Sequence, residues 1–172
     1  APFTSFALAG LSMGGYIALE IMRQAPRRVT GLALMDTAAV AELREQTQKR
    51  TEFIALADCG EFPRVTEILL PLLIHPSRLA ERALTDVVKS MAKNVGKEAF
   101  VRQQRAIMRR ADSLGLLPTI DCPTLVLCGR QDALTPLARH EEIAAGIKGA
   151  RLEVIDDCGH LSTLERPVPV NA

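Results

Sequence analysis

Serine, aspartate and histidine stand in this 172-residue chain at places where nucleophilic acyl chemistry would need them. Ser12 lies in Gly10-Leu11-Ser12-Met13-Gly14-Gly15, a G-x-S-x-G sequence between a strand-like run and a helix-like one. Small residues at 10 and 14 let helix and strand approach around a tight turn, which pushes the serine hydroxyl out above the sheet edge. The Met13 amide and the helix N-terminus then lie beside the hydroxyl as donors to a developing oxyanion. A serine hydroxyl is a weak nucleophile until a base takes its proton and a third group holds that base in the useful tautomer. His160, in Asp156-Asp157-Cys158-Gly159-His160, follows a predicted strand, whereas His75 falls in a helical stretch and His140 within a helix. Asp132, in Gly129-Arg130-Gln131-Asp132-Ala133-Leu134-Thr135-Pro136, sits past an apolar strand and before a helix, at the edge where open α/β sheets carry their sites. The alternatives are a turn or helix cap for Asp132 and a backbone-bonded loop histidine for His160. Asp156 and Asp157 compete for the acid role, but lie too near His160 in sequence to approach its far ring nitrogen easily.

The elements that must position these residues follow from hydropathy patterning. A strand is predicted over 3–9, a glycine turn at Gly10, and a helix over about Gly14 to Gln24, whose apolar positions Ile17, Ala18, Ile21 and Met22 recur at helical spacing. The near-continuous apolar run 29–35 suits a parallel strand covered on both faces. From 37 to 115 the periodicity turns helical, with pieces at 39–57, 63–74, 78–93 and 97–112 punctuated by Pro63, Pro71, Gly96 and Gly115. Strand signals return at 123–129 and 151–155 around a helix over 136–147. The last stretch, from Leu161, begins as a helix and meets Pro167 and Pro169. The expected class is α/β, a mostly parallel sheet flanked by helices, with a core of 1–36 and 116–172 and a helical insertion of 37–115.

Composition excludes other readings. With 48% apolar residues, 11 Gly and 10 Pro, the chain is neither disordered nor collagenous. The 21 basic and 20 acidic side chains leave a net charge of +1, which gives no global attraction to nucleic acid. The Arg109-Arg110 pair and Lys93 with Lys97 read as solvated helix faces rather than an anion site. Cys59, Cys122, Cys128 and Cys158 lack C-x-x-C spacing and read as small buried residues in a reducing compartment. No apolar run is long enough to span a bilayer, so the expectation is a soluble, cytoplasmic chain without a membrane partner. The spacing of Gly10 to Gly15 is not that of a dinucleotide loop, and neither cofactor nor metal is expected.

Around these residues the sequence resembles the α/β-hydrolase superfamily, in particular its small capped esterases and lactone hydrolases such as the 3-oxoadipate enol-lactonases. The resemblance rests on Leu8 to Gly15 as the elbow, Gly129 to Pro136 as the acid loop, and Gly159-His160-Leu161-Ser162-Thr163-Leu164-Glu165-Arg166-Pro167 as the histidine loop. The order Ser12, Asp132, His160 is the chain order of that fold. The resemblance implies an ester or lactone hydrolase working through an acyl-enzyme, with Met13 as one oxyanion donor and 37–115 as a variable cap. Phe53, Ile54, Leu69, Leu72, Phe100 and Ile107 would line an acyl pocket or form cap core; Arg105 or Arg109 facing the cleft would favour a carboxylate-bearing substrate. The resemblance also implies strands, helices and a second oxyanion loop ahead of the elbow, and a longer last helix. The chain is thus expected to represent a cap and the C-terminal half of a larger, partial α/β-hydrolase fold. An acyltransferase or carbon–carbon bond hydrolase with the same residues, and a catalytically silent binding module, are the alternatives; self-association is left open.

Overall fold

The computed structural model describes residues 3–172. Four parallel strands form one sheet in chain order: β1 (Phe6–Leu11), β2 (Val29–Met35), β3 (Thr124–Gly129) and β4 (Arg151–Ile155). Helix α1 (Met13–Gln24) connects β1 to β2, and α5 (Leu137–Gly146) connects β3 to β4. Between β2 and β3 run α2 (Arg44–Leu56), α3 (Phe62–Leu73) and α4 (Arg82–Met108), so the predicted helical insertion interrupts the sheet where expected. The pairings Leu11↔Met35, Met35↔Leu127 and Gly129↔Ile155 bring the C-terminal ends of all four strands to one edge.

The main core is built where α1 and α5 lie on the sheet. Ala18, Leu19 and Met22 of α1, Leu32 and Leu34 of β2, Val126 of β3 and Ile143 of α5 are all buried in it. Leu117, from a short 3-10 segment (Leu114–Thr119), packs into the same cluster. The cover is one-sided along β1 and β2: Leu32 and Leu34 are buried, whereas Gly31, Ala33 and Met35 alternating with them are half-buried and Ala7 and Ala9 of β1 are exposed, so the run 29–35 is not covered on both faces as its composition suggested.

The insertion has a core of its own. Ala57, Val65, Phe100 and Val101 are buried there with Phe53, Ile54, Phe62 and Leu69 against them, and the Phe62 and Phe100 rings lie 5.3 Å apart, tilted by 50°. Gly96 adopts φ 76°, ψ 165° inside α4, a conformation that a side chain would strain, and the predicted break between 78–93 and 97–112 falls there. A second cluster, Ile74, Leu84 and Val88 with Leu70 and Leu73, takes in Leu161 and Leu164 from the segment after β4. That cluster joins the insertion to the loop carrying His160.

The two ends of the insertion are tied by charge. Glu42, its side chain 2% exposed, pairs with Arg50 at 2.5 Å and also with Arg110. Arg50 also donates to Gln104 at 2.7 Å, and the Arg110 guanidinium stands 4.3 Å over the Tyr16 ring on α1. Arg110 is therefore committed to this network rather than to a solvated face, and Lys97 lies beside Glu98. Removing one partner leaves the others' charges uncompensated. Glu42→Ala is expected to lower unfolding free energy by about 3 kcal/mol, measured by urea denaturation; a change below about 0.5 kcal/mol would assign the network only a surface role.

The residues at the end depart from one long helix. Two single-turn helices, α6 (Ser162–Glu165) and α7 (Pro167–Val170), replace it, because Pro167 and Pro169 deny the backbone N–H groups that a continuous helix would use. Cys128 and Cys158 are buried as expected, Cys122 is half-buried and Cys59 is exposed. The exposed thiol corrects the expectation of four buried cysteines: Cys59 lies in the irregular helical segment between α2 and α3 (residues 57–61), next to Gly60, in which only Ala57 is buried. No helix among the described residues is long and apolar enough to cross a membrane.

Candidate active site

Strand β1 runs through Gly10 to Leu11, two residues beyond the predicted strand end, and the chain reverses at Ser12. The Ser12 amide still donates to the Met35 carbonyl at 2.9 Å, so the residue is held by the sheet while its own backbone turns into φ 54°, ψ −116°. This sparsely populated conformation is sustained by its surroundings. A Cβ on Gly10 would come 2.2 Å from the Gly14 carbonyl oxygen, and one on Gly15 would come 2.4 Å from Thr37 Oγ1. Nothing lies within 4 Å of the Cβ position of Gly14. The close approach expected at 10 and 14 is therefore made at 10 and 15, since Gly14 contributes its carbonyl and Gly15 faces the Thr37 side chain just past β2. Gly10→Ala is expected to destabilise by about 3 kcal/mol, whereas Gly14→Ala is expected to be near neutral; equal melting temperatures for the two variants would contradict this packing.

The structure brings Ser12, His160 and Asp132 into one hydrogen-bonded chain. His160 Nε2 lies 2.8 Å from Ser12 Oγ, and His160 Nδ1 lies 2.8 Å from Asp132 Oδ2. His160 is 2% exposed and Asp132 4%. Asp132 Oδ1 accepts the Leu134 and Thr135 amides at 2.8 and 2.9 Å, and Oδ2 accepts the Thr135 hydroxyl at 2.7 Å. Burial alone would raise the Asp132 carboxyl, but the hydrogen bond and charge of His160, with the Thr135 hydroxyl and amide, outweigh it and hold the group below the usual carboxylate range. An ionised Asp132 can only accept. Nδ1 of His160 therefore carries the proton, and Nε2 is left as acceptor for the Ser12 hydroxyl. Met13 opens α1, so its amide is among the first-turn N–H groups that a helix leaves without an internal partner.

The other acidic and histidine candidates fall elsewhere. Asp156 pairs with Arg130, and the Asp157 carbonyl accepts Arg166 Nε at 3.0 Å while its backbone turns through φ 49°. His75 caps the 3-10 turn that follows α3, its Nδ1 accepting the Ser77 amide at 3.2 Å and lying 2.8 Å from Ser77 Oγ. His140 is fully buried and accepts the Thr37 amide at 2.8 Å; burial pushes its pKa down to about 4, which keeps it neutral.

The residues expected to line an acyl pocket divide differently. Phe53, Ile54, Leu69 and Phe100 pack together in the insertion's own core, the second of the two roles their periodicity allowed: the apolar face closes the helices on one another. Ile107 is buried on α4 and Leu72 half-buried on α3. Arg105 and Arg109 are exposed. Three functional positions went unremarked in the sequence. Thr37 donates through Oγ1 to the Ser12 carbonyl at 2.8 Å. Thr135 braces Asp132. Glu165, 3% exposed, accepts the Gly159 amide with Oε1 and the His75 amide with Oε2, both at 2.8 Å, and so fastens the His160 loop to the end of α3. The position of Thr37 just past a parallel strand is the sequence signal by which it could have been found.

A sequence profile described as alpha/beta hydrolase fold matches residues 1–167. The chain belongs to the α/β-hydrolase family. It is 32% identical to a malate-bound thermophilic esterase from Thermogutta terrifontis, TM-score 0.91, over 97% of this chain and 62% of that one. An enol-lactonase from Burkholderia xenovorans superposes with TM-score 0.87 at 25% identity, over 97% of this chain and 63% of that one. Among curated relatives, a pimeloyl-[acyl-carrier protein] methyl ester esterase from Aromatoleum aromaticum is 26% identical over 93% of this chain and 68% of its own length. A 2-hydroxy-6-oxononadienedioate/2-hydroxy-6-oxononatrienedioate hydrolase from a Pseudomonas species is 26% identical over 92% of this chain. The chain spans 57% of that hydrolase's length.

Proposed function

We propose that the chain carries the catalytic triad of a serine hydrolase that cleaves a carboxylic ester or lactone, with Ser12 as nucleophile, His160 as base and Asp132 as its orienting acid. The observation that supports this most is His160 standing 2.8 Å from Ser12 Oγ on one side and 2.8 Å from a buried Asp132 oxygen on the other. In the proposed reaction, Nε2 takes the Ser12 proton as Oγ bonds to the substrate carbonyl carbon. The resulting oxyanion faces the Met13 amide at the N-terminus of α1, and Asp132 stabilises the imidazolium. The tetrahedral species expels the alkoxide, which takes the proton from Nε2, and leaves an acyl ester on Ser12. Water then attacks that ester while Nε2 takes its proton; the proton passes to Oγ as the acid departs.

Residues 37–115 form a cap in this reading and 1–36 with 116–172 the hydrolase core, the two joined through Leu161, Leu164 and Glu165. The Pseudomonas relative favours a second reading, cleavage of a carbon–carbon bond by the same residues. A substrate panel separates them. Wild-type chain is expected to turn over a p-nitrophenyl ester or a δ-lactone and to leave a vinylogous 1,5-diketone intact. Cleavage of the diketone alone would favour the second reading, transfer of the acyl group to an added alcohol would indicate a transferase, and no turnover of any of them would contradict catalysis by the chain.

A further inference from the structure

Left-handed backbone occurs at three described residues other than glycine, Ser12, Asp36 and Asp157, and each lies just past the C-terminal end of a strand. Ser12 belongs to the proposed triad and Asp157 turns the loop ahead of His160, but Asp36 has no part in the mechanism above. It is the first residue after β2, the strand between the one that ends at Ser12 and the one that leads to Asp132. Its side chain is fully buried. Oδ1 accepts the Gly129 amide at 3.0 Å, and Oδ2 accepts both the amide of Ser162, at 3.2 Å, and its hydroxyl, at 2.5 Å.

We propose that Asp36 is a positioning residue for the Ser12–His160–Asp132 chain, its carboxylate clamping the end of β3 to the segment that follows His160. The proposal rests on the serine-hydrolase reading for its catalytic consequence. Gly129 is the last residue of β3, and its carbonyl accepts the Asp132 amide at 3.2 Å, so one oxygen of Asp36 fixes the start of the acid loop. Ser162 lies two residues past His160, so the other oxygen fixes the histidine loop. Thr37, the next residue, donates to the Ser12 carbonyl. Two consecutive residues at the end of β2 thereby reach all three segments that carry the triad.

A buried carboxylate is an expensive way to satisfy backbone amides unless its geometry matters. Among the described residues no lysine or arginine bonds to Asp36. The titratable groups facing it are His160, Asp132, Cys128 and Cys158. Burial pushes both thiols up to about 12, which leaves them neutral, and the Asp36 carboxyl itself up to about 6. The group is retained as an acceptor of three N–H and O–H bonds from two loops. Only the ionised form accepts all of them without turning a proton toward a donor.

The test is kinetic and spectroscopic, on the full chain, with Asp36→Ala, Asp36→Asn and Ser162→Ala. Asp36→Ala is expected to lower kcat on an ester or lactone by about tenfold or more through misplacement of His160, with KM little changed. It is also expected to weaken or abolish the low-field proton signal of the His160 Nδ1–H···Asp132 bond. Asp36→Asn keeps the acceptor toward Gly129 but replaces the other oxygen with an NH₂ that can donate to the Ser162 hydroxyl and loses the bond from the Ser162 amide, and is expected to restore part of both. Ser162→Ala, which removes one of the three bonds, should fall between Asp36→Asn and wild type. If Asp36→Ala does not fold, Asp36→Asn and Ser162→Ala carry the test. Wild-type kcat and an unchanged low-field signal in the folded variants would overturn the proposal. So would a loss of kcat that tracks a lower melting temperature while that signal stays in place. A wild-type chain without turnover whose low-field signal still shifts in Asp36→Asn would remove the hydrolase reading and leave the positioning role standing.

Discussion

Replacing Ser12 with alanine is expected to lower kcat on an ester or lactone by about 10⁶-fold while the chain remains folded. The alanine keeps a Cβ and so makes the same demand on the backbone at φ 54°; the amide bond to the Met35 carbonyl and the packing of Gly10 and Gly15 around the turn do not involve the hydroxyl. What is lost is the oxygen that lies 2.8 Å from His160 Nε2. Water activated by His160 and the Met13 amide would sustain the small residual rate. Steady-state kinetics beside a thermal melt checks this. A variant that keeps a tenth of wild-type kcat would show that the nucleophile lies elsewhere.

Asp132→Asn is expected to lower kcat by about 10⁴-fold, and the local bonding explains why the amide is a poor substitute here. Oδ1 of Asp132 accepts two backbone amides, from Leu134 and Thr135, so the asparagine must turn its carbonyl oxygen that way and its NH₂ toward His160. Nδ1 then has to accept, and the imidazole proton moves to Nε2, where it faces Ser12 as a donor rather than an acceptor. The same residue has a stability signature. Its pKa is lowered in the folded chain, so its contribution is complete above the unfolded carboxyl value, about 4, and is lost as pH falls through the depressed folded value. Asp132→Asn should therefore lose part of the acid-range pH dependence of unfolding that wild type shows. Kinetics at neutral pH and urea midpoints across the acid range test the two effects separately.

The sequence carried the site's chemistry more legibly than its supports. Ser12, Asp132 and His160 could be read because each follows a strand signal in local sequence, and parallel pairing then obliges those strand ends to share one edge. The helical insertion was equally plain, down to its break at Gly96. Local patterning failed where a partner is remote. Gly10 reads as a turn because it has no side chain, yet its backbone completes β1 and the space of its Cβ is taken by the Gly14 carbonyl. The helix expected from 39 begins at Arg44, because residues 37–43 are drawn across the sheet edge by bonds from Thr37 to Ser12 and from Glu42 to Arg110. Asp36 bonds to Ser162, and Glu165 to His75, across separations of 126 and 90 residues, for which a single sequence has no signal. Periodicity found the apolar face holding Phe53, Ile54, Leu69 and Phe100 but could not say what covers it; helices α2, α3 and α4 cover it themselves.

The central claim is that His160 and Asp132 activate Ser12. Incubation of the native chain with a fluorophosphonate probe, followed by intact mass and peptide mapping, tests it most directly. The account predicts a single adduct on the peptide containing Ser12, absent from Ser12→Ala and strongly slowed in Asp132→Asn. No adduct on the native chain, or equal labelling of Ser12→Ala, would contradict it.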